Sequence, residues 1–258
     1  MPELRALIFD VDGTLADTER DGHRVAFNRA FAEAQLDWDW SIALYEELLE
    51  VTGGKERMQF YLDKYRPDFR QPPDMKETIA QLHKAKTRHY TQLLAQGAIP
   101  LRPGVKRLLK EAREAGIRLA IATTTTPANV TALLENTLGR ESLSWFDVIA
   151  AGDIVPKKKP APDIYFYALD AMKLRPEECI AFEDSYNGLQ SSLQANLPSI
   201  ITVNDYTRNH DFSGATVVLD QMGDPGNPFK VLAGQVGWTL YLDLMLVQHL
   251  HQLALSNG

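Results

Sequence analysis

Residues 5–15, RALIFDVDGTL, carry two carboxylates, Asp10 and Asp12, at the end of an apolar run. An apolar run of this length, closed by Gly and Thr, is typical of an inner strand of a parallel sheet. Alternate strand residues point to the same side, so we expect both carboxylates to project together at the strand's carboxyl end, where open α/β sheets place their chemistry. Because unpaired carboxylates repel each other, a cation or a lysine is expected close by.

Polar side chains also follow three later apolar runs. Thr123 follows IRLAIA, Lys159 comes soon after FDVIA, and Glu183 with Asp184 follows CIAF. Each has an ordinary alternative explanation: a threonine at a strand end can cap a helix, lysines can lie in a solvated loop, and an acidic pair can cap the next helix. In this order on one parallel sheet, however, they predict a common site.

The elements that must position these groups fall into two patterns. From about residue 18 to residue 97 the periodicity is mostly helical, whereas beyond residue 104 helix and strand patterns alternate over short connections. The alternation predicts a Rossmann-like, doubly wound parallel sheet, and the helical block predicts an inserted all-α cap domain. We place the α/β core at residues 1–17 plus 97–258 and the cap at residues 18–96.

The end of the chain is expected to be a helical tail from about residue 229. Val236, Leu240, Leu244 and Val247 form an apolar stripe on this predicted final helix, after a linker at residues 220–228. The stripe packs on the core in one interpretation and forms a dimer contact in the other. Polar residues such as Asp243 interrupt any membrane-spanning stretch.

Composition excludes several classes of protein. The chain has 258 residues, 45% of them hydrophobic and 24% charged, which is ordinary for a globular protein. A net charge of -7 argues against a nucleic-acid binder or a polybasic membrane-surface protein. The single cysteine, Cys179, precludes an intramolecular disulfide and fits a reducing compartment. The expected location is cytoplasmic, or the plastid stroma if a transit peptide has been removed, and the expected state is a monomer.

The four strand-end groups resemble the motifs of the haloacid dehalogenase superfamily. Those motifs are an Asp-x-Asp-x-Thr strand end, a Ser or Thr strand end, a lysine and an acidic pair. The resemblance implies a phosphatase that works through a covalent aspartyl-phosphate, with Asp10 as the nucleophile. It also implies that Asp12 protonates the leaving alkoxide and then deprotonates the attacking water.

The same resemblance implies Mg²⁺ as cofactor, because a carboxylate that attacks a phosphate dianion needs its repulsion cancelled. The expected ligands are the Asp10 side chain, the Asp12 backbone carbonyl and Asp184, with Glu183 acting directly or through water. Lys159 is expected to pair with Asp10 and a phosphate oxygen. Thr123 would hold another phosphate oxygen with backbone N–H groups of the following helix, whose first residue is Pro127 and whose cap is Thr126.

A cap inserted after the first motif resembles the subclass that acts on small phosphorylated metabolites, which argues against protein and nucleic-acid substrates. Glu19 and His23 are expected near the substrate hydroxyls; alternatively, Glu19 begins a helix and His23 is a hinge or packing residue. In residues 52–57, TGGKER, Gly54 lets the backbone approach a ligand, and Lys55 and Arg57 could bind a second anionic group. A polar turn is the alternative there.

Longer strings narrow the resemblance. Residues 10–19 (DVDGTLADTE), 21–24 (DGHR), 122–125 (ATTT) and 182–189 (FEDSYNGL) look like the CbbY family of photosynthetic organisms. That family implies removal of a phosphate from xylulose-1,5-bisphosphate, a misfire product that inhibits Rubisco. The first phosphate would then lie over Asp10 and the second near Lys55, with Thr124 as a further substrate contact. A β-phosphoglucomutase-like mutase and an inactive phosphosugar-binding sensor remain as alternatives, although the presence of both aspartates argues against the sensor.

Overall fold

The computed structural model describes residues 2–69, 74–237 and 239–257. The strands are β1 Ala6–Phe9, β2 Arg118–Thr123, β3 Val148–Ala151, β4 Cys179–Glu183, β5 Ser199–Thr202, β6 Val217–Leu219 and β7 Val231–Ala233. The α-helices are α1 Arg24–Glu33, α2 Ile42–Leu48, α3 Gly54–Tyr65, α4 Met75–Ala95, α5 Val105–Glu114, α6 Pro127–Leu138, α7 Asp163–Met172, α8 Tyr186–Gln194 and α9 Leu244–Asn257. A π-helical turn spans Glu19–His23, and 3₁₀ turns span Arg140–Trp145, Gly152–Ile154 and Pro176–Glu178.

The described strands form one seven-stranded sheet in the order β3-β2-β1-β4-β5-β6-β7. All neighbouring pairs are parallel except β6 with β7, which is antiparallel. Phe9, the last residue of β1, is level with Ile121 of β2 and Phe182 of β4. The predicted doubly wound parallel sheet is therefore confirmed, and its register brings the carboxyl ends of β1, β2 and β4 to one edge.

Strand β1 is buried on both faces because helices cover both sides of the sheet. Leu7 and Phe9 face one apolar cluster that includes α5 and α6, whereas Ala6 and Ile8 face another that includes α7. Phe9 also stacks on Phe182 with ring centroids 4.4 Å apart. This packing fixes the strand whose end carries Asp10.

The chain between β1 and β2 is helical over most of its described residues, as predicted, from the π-helical turn through α5. Helices α1–α4 share an aromatic-rich apolar cluster that includes Phe27, Trp40 and Tyr45. Tyr206, from the loop after β5, also joins this cluster. A separate cluster supports the proposed cap at residues 18–96, and the division into core and cap remains a prediction.

The predicted helical tail from about residue 229 is wrong in its first part. Val231–Ala233 is the edge strand β7, and the final helix begins only at Leu244. Gly234 and Gly237 have φ values of 85° and 71°, which an α-helix does not accommodate, and neither Val236 nor Leu240 lies in a helix.

The final helix itself packs on the core, as the first interpretation of the tail expected. Leu246, Val247 and Leu250 are buried in the main apolar cluster, whereas Leu240 is 59% exposed. Within the described ranges, no helix has both the length and the apolar character needed to cross a membrane.

Candidate active site

A cavity of about 370 Å³ opens at the carboxyl ends of β1, β2 and β4. Its lining includes all the strand-end groups predicted from the sequence, namely Asp10, Asp12, Thr123, Thr124, Lys159, Glu183 and Asp184. Glu19 and Arg57 line the same cavity from the helical side. The structure thus brings the predicted core residues together at the predicted edge of the sheet.

Lys159 forms the centre of the acidic group. Its Nζ donates to Asp10 Oδ1 at 2.7 Å, to Glu183 Oε1 at 2.6 Å and to the Ala122 carbonyl at 2.8 Å. Burial alone would lower the pKa of Lys159, but the attraction of Asp10 and Glu183 outweighs it and raises the pKa. Lys159 is therefore charged, and the expected pairing of Asp10 with a lysine is present.

Three buried carboxylates, Asp10, Glu183 and Asp184, place one oxygen each within 4.8 Å of one another. Burial raises the pKa of Asp10 to about 7 although Lys159 lowers it, and Glu183 and Asp12 raise it further. Burial, followed by repulsion from Asp10 and Glu183, also raises the pKa of Asp184. The single positive charge of Lys159 does not balance the three carboxyl groups when they are ionised.

The carboxylates of Asp10, Glu183 and Asp184 suit Mg²⁺ because they offer oxygen ligands, and because one of these oxygens has no hydrogen-bond partner among the described residues. Glu183 Oε2 is buried and has no hydrogen-bond partner among residues 2–69, 74–237 and 239–257. A Cβ added at Gly13, whose φ is +87°, would lie 2.2 Å from Asp184 Oδ2, so the backbone after Asp12 closely approaches that carboxylate. Buried oxygen donors in this number are what Mg²⁺ prefers, and the residues fit that ion.

Asp12 belongs to a second group of side chains and does not share the lysine of Asp10. Its Oδ1 accepts hydrogen bonds from the Thr18 hydroxyl at 2.5 Å and from His23 Nε2 at 2.7 Å. His23 Nδ1 lies 2.7 Å from Lys86 Nζ, which can only donate, so the imidazole proton sits on Nε2. Burial opposes ionisation of Asp12, but His23 and Thr18 outweigh it and hold its pKa below the usual range.

The projection of both carboxylates together, expected from strand alternation, holds only in part. Asp10 and Asp12 lie beyond the last residue of β1 and both line the cavity, yet their carboxylates bond to different partners. The chain has already left the strand at Asp10, so the two-residue period no longer fixes the directions of the side chains.

Glu19 and Arg57 meet through a tyrosine of α2. The Tyr45 hydroxyl donates to Glu19 Oε2 at 2.5 Å and accepts from Arg57 Nη1 at 2.8 Å. Arg57 also donates to the Leu48 carbonyl at 3.1 Å. Arg57 is thus a buried cation at the cavity wall rather than part of an exposed polar turn.

Gly54 and Lys55 line a neighbouring cavity of about 420 Å³, not the main one. Lys55 Nζ donates to Asp153 Oδ2 at 2.5 Å, and this bond lowers the pKa of Asp153 to about 2. A Cβ at Gly54 would lie 2.6 Å from the His83 ring, so the backbone closely approaches this side chain. Thr124 lines both cavities.

The threonines at the end of β2 and just after it differ in their roles. The Thr125 backbone N–H donates to Thr123 Oγ1 at 3.3 Å, which holds the Thr123 hydroxyl at the end of its strand. Thr126 is the N-cap of α6 and Pro127 follows at the start of the helix, as predicted, but the Thr126 side chain makes no capping hydrogen bond.

Several residues of the site have no clear signal in the sequence. Lys86 and Thr18 hold the Asp12 network, Tyr165 donates to Glu183 Oε1 at 2.5 Å, and Asn204 donates to Asp184 Oδ2 at 2.6 Å. Each is an isolated polar residue in an ordinary helix or loop. Spacing from the Asp-x-Asp motif could have indicated Thr18, but nothing in the sequence places the others.

Comparisons with known proteins agree with this geometry. A family model for haloacid dehalogenase-like hydrolases matches residues 4–196. The CbbY protein of Rhodobacter capsulatus is 53% identical over 83% of this chain and 91% of its own length. The plasmid CbbY protein of Cupriavidus necator is 48% identical over 87% of this chain and 88% of its own length.

A solved structure is also similar to this chain in sequence and in fold. A mutant of CbbY from Rhodobacter sphaeroides, in complex with xylulose-(1,5)bisphosphate, is 46% identical with a TM-score of 0.78 and covers 84% of this chain and 94% of that chain. Fold, motif residues and sequence identity therefore agree. The chain belongs to the haloacid dehalogenase-like hydrolases and, among them, to the phosphatases of the CbbY family.

Proposed function

We propose that this protein is a Mg²⁺-dependent phosphatase that removes one phosphate from xylulose-1,5-bisphosphate through an aspartyl-phosphate. The observation that carries the proposal is the group of Asp10, Lys159, Glu183 and Asp184 in a cavity that Asp12 also lines. The substrate is supported by the Rhodobacter sphaeroides CbbY complex with the same sugar bisphosphate.

In the first half-reaction, an Asp10 carboxylate oxygen attacks phosphorus and the bond to the sugar oxygen breaks. Lys159, bonded to Asp10 at 2.7 Å, favours the ionised carboxylate and offers positive charge to the transferring group. Thr123, buried in the cavity wall, binds a phosphate oxygen. These contacts hold the phosphoryl group in line with its nucleophile.

Asp12 donates a proton in the first half-reaction and accepts one in the second. A bound phosphate dianion raises its pKa, which favours the protonated form that the leaving sugar oxygen needs. After the sugar leaves, Asp12 takes a proton from the water that cleaves the aspartyl-phosphate. His23 Nε2, 2.7 Å from Asp12, orients this carboxylate and stabilises its ionised form.

The side chains of Asp10, Glu183 and Asp184, with the Asp12 backbone carbonyl, would hold Mg²⁺. When bound, the ion would reduce the electrostatic repulsion between the carboxylate nucleophile and the phosphate dianion. Glu183 is the last residue of β4 and Asp184 follows it, and β4 pairs with β1, so one rigid sheet edge carries the whole set.

For the second phosphate we propose the neighbouring cavity that Gly54, Lys55 and Thr124 line. Lys55 already binds an anion there, the Asp153 carboxylate, and Lys158 Nζ lies 3.0 Å from the same carboxylate. An incoming phosphate dianion would displace or join Asp153 between the two lysines. Glu19 and Arg57, which line the main cavity, would then contact the sugar between the two phosphates. His23, expected from the sequence near the substrate hydroxyls, does not line either cavity because its ring nitrogens face Asp12 and Lys86.

The test is a panel of sugar mono- and bisphosphates incubated with the purified protein, once with Mg²⁺ and once with EDTA. We expect release of inorganic phosphate from xylulose-1,5-bisphosphate in Mg²⁺ only. Isomerised sugar phosphate without free phosphate would instead show the mutase. Binding of sugar phosphates without turnover would show the sensor.

A further inference from the structure

Asn204 lies in the loop after β5, outside the four motifs, and lines the main cavity. Its Nδ2 donates to Asp184 Oδ2 at 2.6 Å. The expected ligand set of the cation does not include Asn204. Its contact nevertheless falls on a carboxylate that this set requires.

The direction of the Asn204 amide is determined by its other contacts. Its Oδ1 accepts a hydrogen bond from the Tyr206 backbone N–H at 2.9 Å, so Nδ2 must be the atom that faces Asp184. The Asn204 backbone N–H donates to the Thr207 hydroxyl at 3.0 Å, and Thr207 is buried. Hydrogen bonds therefore fix both the side-chain amide and the backbone N–H of Asn204 before any ligand binds.

The backbone around this amide is held in turn by Arg102. The Arg102 guanidinium donates to the Thr202 carbonyl at 2.9 Å and to the Val203 carbonyl at 2.6 Å, and it also donates to the Gly13 carbonyl. One buried cation thus joins the loop of Asn204 to the loop of the Asp-x-Asp motif. A Cβ at Gly13 would lie 2.5 Å from Asn204 Nδ2, so the two loops are in close contact.

We propose that Asn204 is a positioning residue for the cation site. Its hydrogen bond holds the Asp184 carboxylate in the orientation that leaves its other oxygen for Mg²⁺, and a neutral amide does this without adding charge. The inference rests on the proposed function only in that Asp184 is taken as a ligand. Supporting hydrogen bonds of this kind typically change metal affinity by about 10–100-fold.

Asn28 provides a matched control in the helical region. Its Nδ2 donates to Asp39 Oδ1 at 2.6 Å, and its Oδ1 accepts from the Trp40 backbone N–H at 2.9 Å. Asn28 Nδ2 also donates to the Trp40 carbonyl at 3.1 Å. As with Asn204, the amide links a carboxylate to a backbone N–H, but Asp39 is not one of the buried carboxylates Asp10, Glu183 and Asp184. Loss of either amide should cost similar stability, and only the loss of Asn204 should change metal binding.

The experiment titrates MgCl₂ into the full-length protein by isothermal calorimetry, without substrate, for the wild type, Asn204→Ala, Asn204→Leu and Asn28→Ala. Melting temperatures in EDTA report any structural loss. The leucine variant keeps the volume of the side chain if alanine weakens the fold. Phosphatase activity against Mg²⁺ concentration separates metal affinity from the limiting rate.

We expect both Asn204 variants to raise the Kd for Mg²⁺ by about 10–100-fold. Their kcat at saturating Mg²⁺ should recover to within a few-fold of the wild type, and Asn28→Ala should leave Kd unchanged. Wild-type Mg²⁺ affinity in both Asn204 variants would overturn the inference while leaving the proposed function intact. A wild-type protein that binds no Mg²⁺ would overturn both.

Discussion

Replacing Lys159 by methionine removes the positive charge at the centre of the site and keeps most of the side chain's length. The Lys159 side chain is only 5% exposed, and its ammonium group contacts Asp10 at 2.7 Å and Glu183 at 2.6 Å. Removing one partner of a buried ion pair costs about 3–5 kcal/mol because it leaves an uncompensated charge. Since single domains are stable by only about 5–15 kcal/mol, we expect Lys159→Met to be strongly destabilised in EDTA.

The origin of this loss can be separated by a second substitution and by Mg²⁺. Asp10→Asn combined with Lys159→Met should be more stable than Lys159→Met alone, because the orphaned carboxylate is gone. Mg²⁺ at about 100 times its Kd adds about 2.7 kcal/mol to a protein that binds it only when folded, and this should rescue the single variant. Urea unfolding followed by circular dichroism measures both effects.

Lys157→Met serves as the control, since Lys157 is exposed in the same loop. We also expect Lys159→Met to lower kcat by about 10²–10³-fold, the usual cost of losing one donor to a transition-state charge. A Lys159→Met protein that matches the wild type in stability in EDTA and in kcat would refute this account of the site.

Three further predictions concern the flanking groups. His23→Asn should raise the pKa of Asp12, and because the second half-reaction needs ionised Asp12, the acid limb of kcat against pH should move to higher pH; an unmoved limb would contradict the pairing. Lys55→Ala should lower kcat/KM for a sugar bisphosphate more than for a monophosphate, and equal losses would remove the second-phosphate role. In EDTA, Asp10 binds its proton more tightly when folded than unfolded, with a pKa of about 7, so its contribution to stability is present at low pH and lost as pH rises toward 7. Denaturant unfolding at pH 5 and pH 8 should show that loss, and Mg²⁺ should reduce it.

The sheet and its catalytic edge were predictable because they depend on short-range patterns. Apolar runs such as ALIF and CIAF can only be buried strands in this context, and the polar residue that ends each run must lie at the sheet edge. Strand order did not need to be known to group Asp10, Thr123 and Glu183. The parallel connection alone places them together.

The supporting residues were not predictable for a related reason. Lys86 is one of several charged residues along α4, and only the packing of α4 against α1 buries it beside His23. Asn204 stands in a loop whose position depends on Arg102, about a hundred residues earlier in the chain. Polar contacts of this kind arise from tertiary packing, which the local pattern does not encode.

One expectation failed where local pattern and backbone geometry disagree. The stripe through Val236 and Leu240 has helical spacing, yet the glycines at 234 and 237 turn the chain, and β7 completes the sheet instead. The role of Lys55 at a second phosphate stays a prediction, with Lys55 placed in the adjacent cavity beside Asp153.

The most direct test of the central claim is phosphate release from xylulose-1,5-bisphosphate by the wild type and by Asp10→Asn, each with Mg²⁺ and with EDTA. The wild type with Mg²⁺ should release one equivalent of phosphate per bisphosphate. EDTA should stop the reaction, and Asp10→Asn should be folded and inactive because an amide cannot attack phosphorus. Measurable turnover by Asp10→Asn, or no phosphate from the wild type with Mg²⁺, would contradict the account.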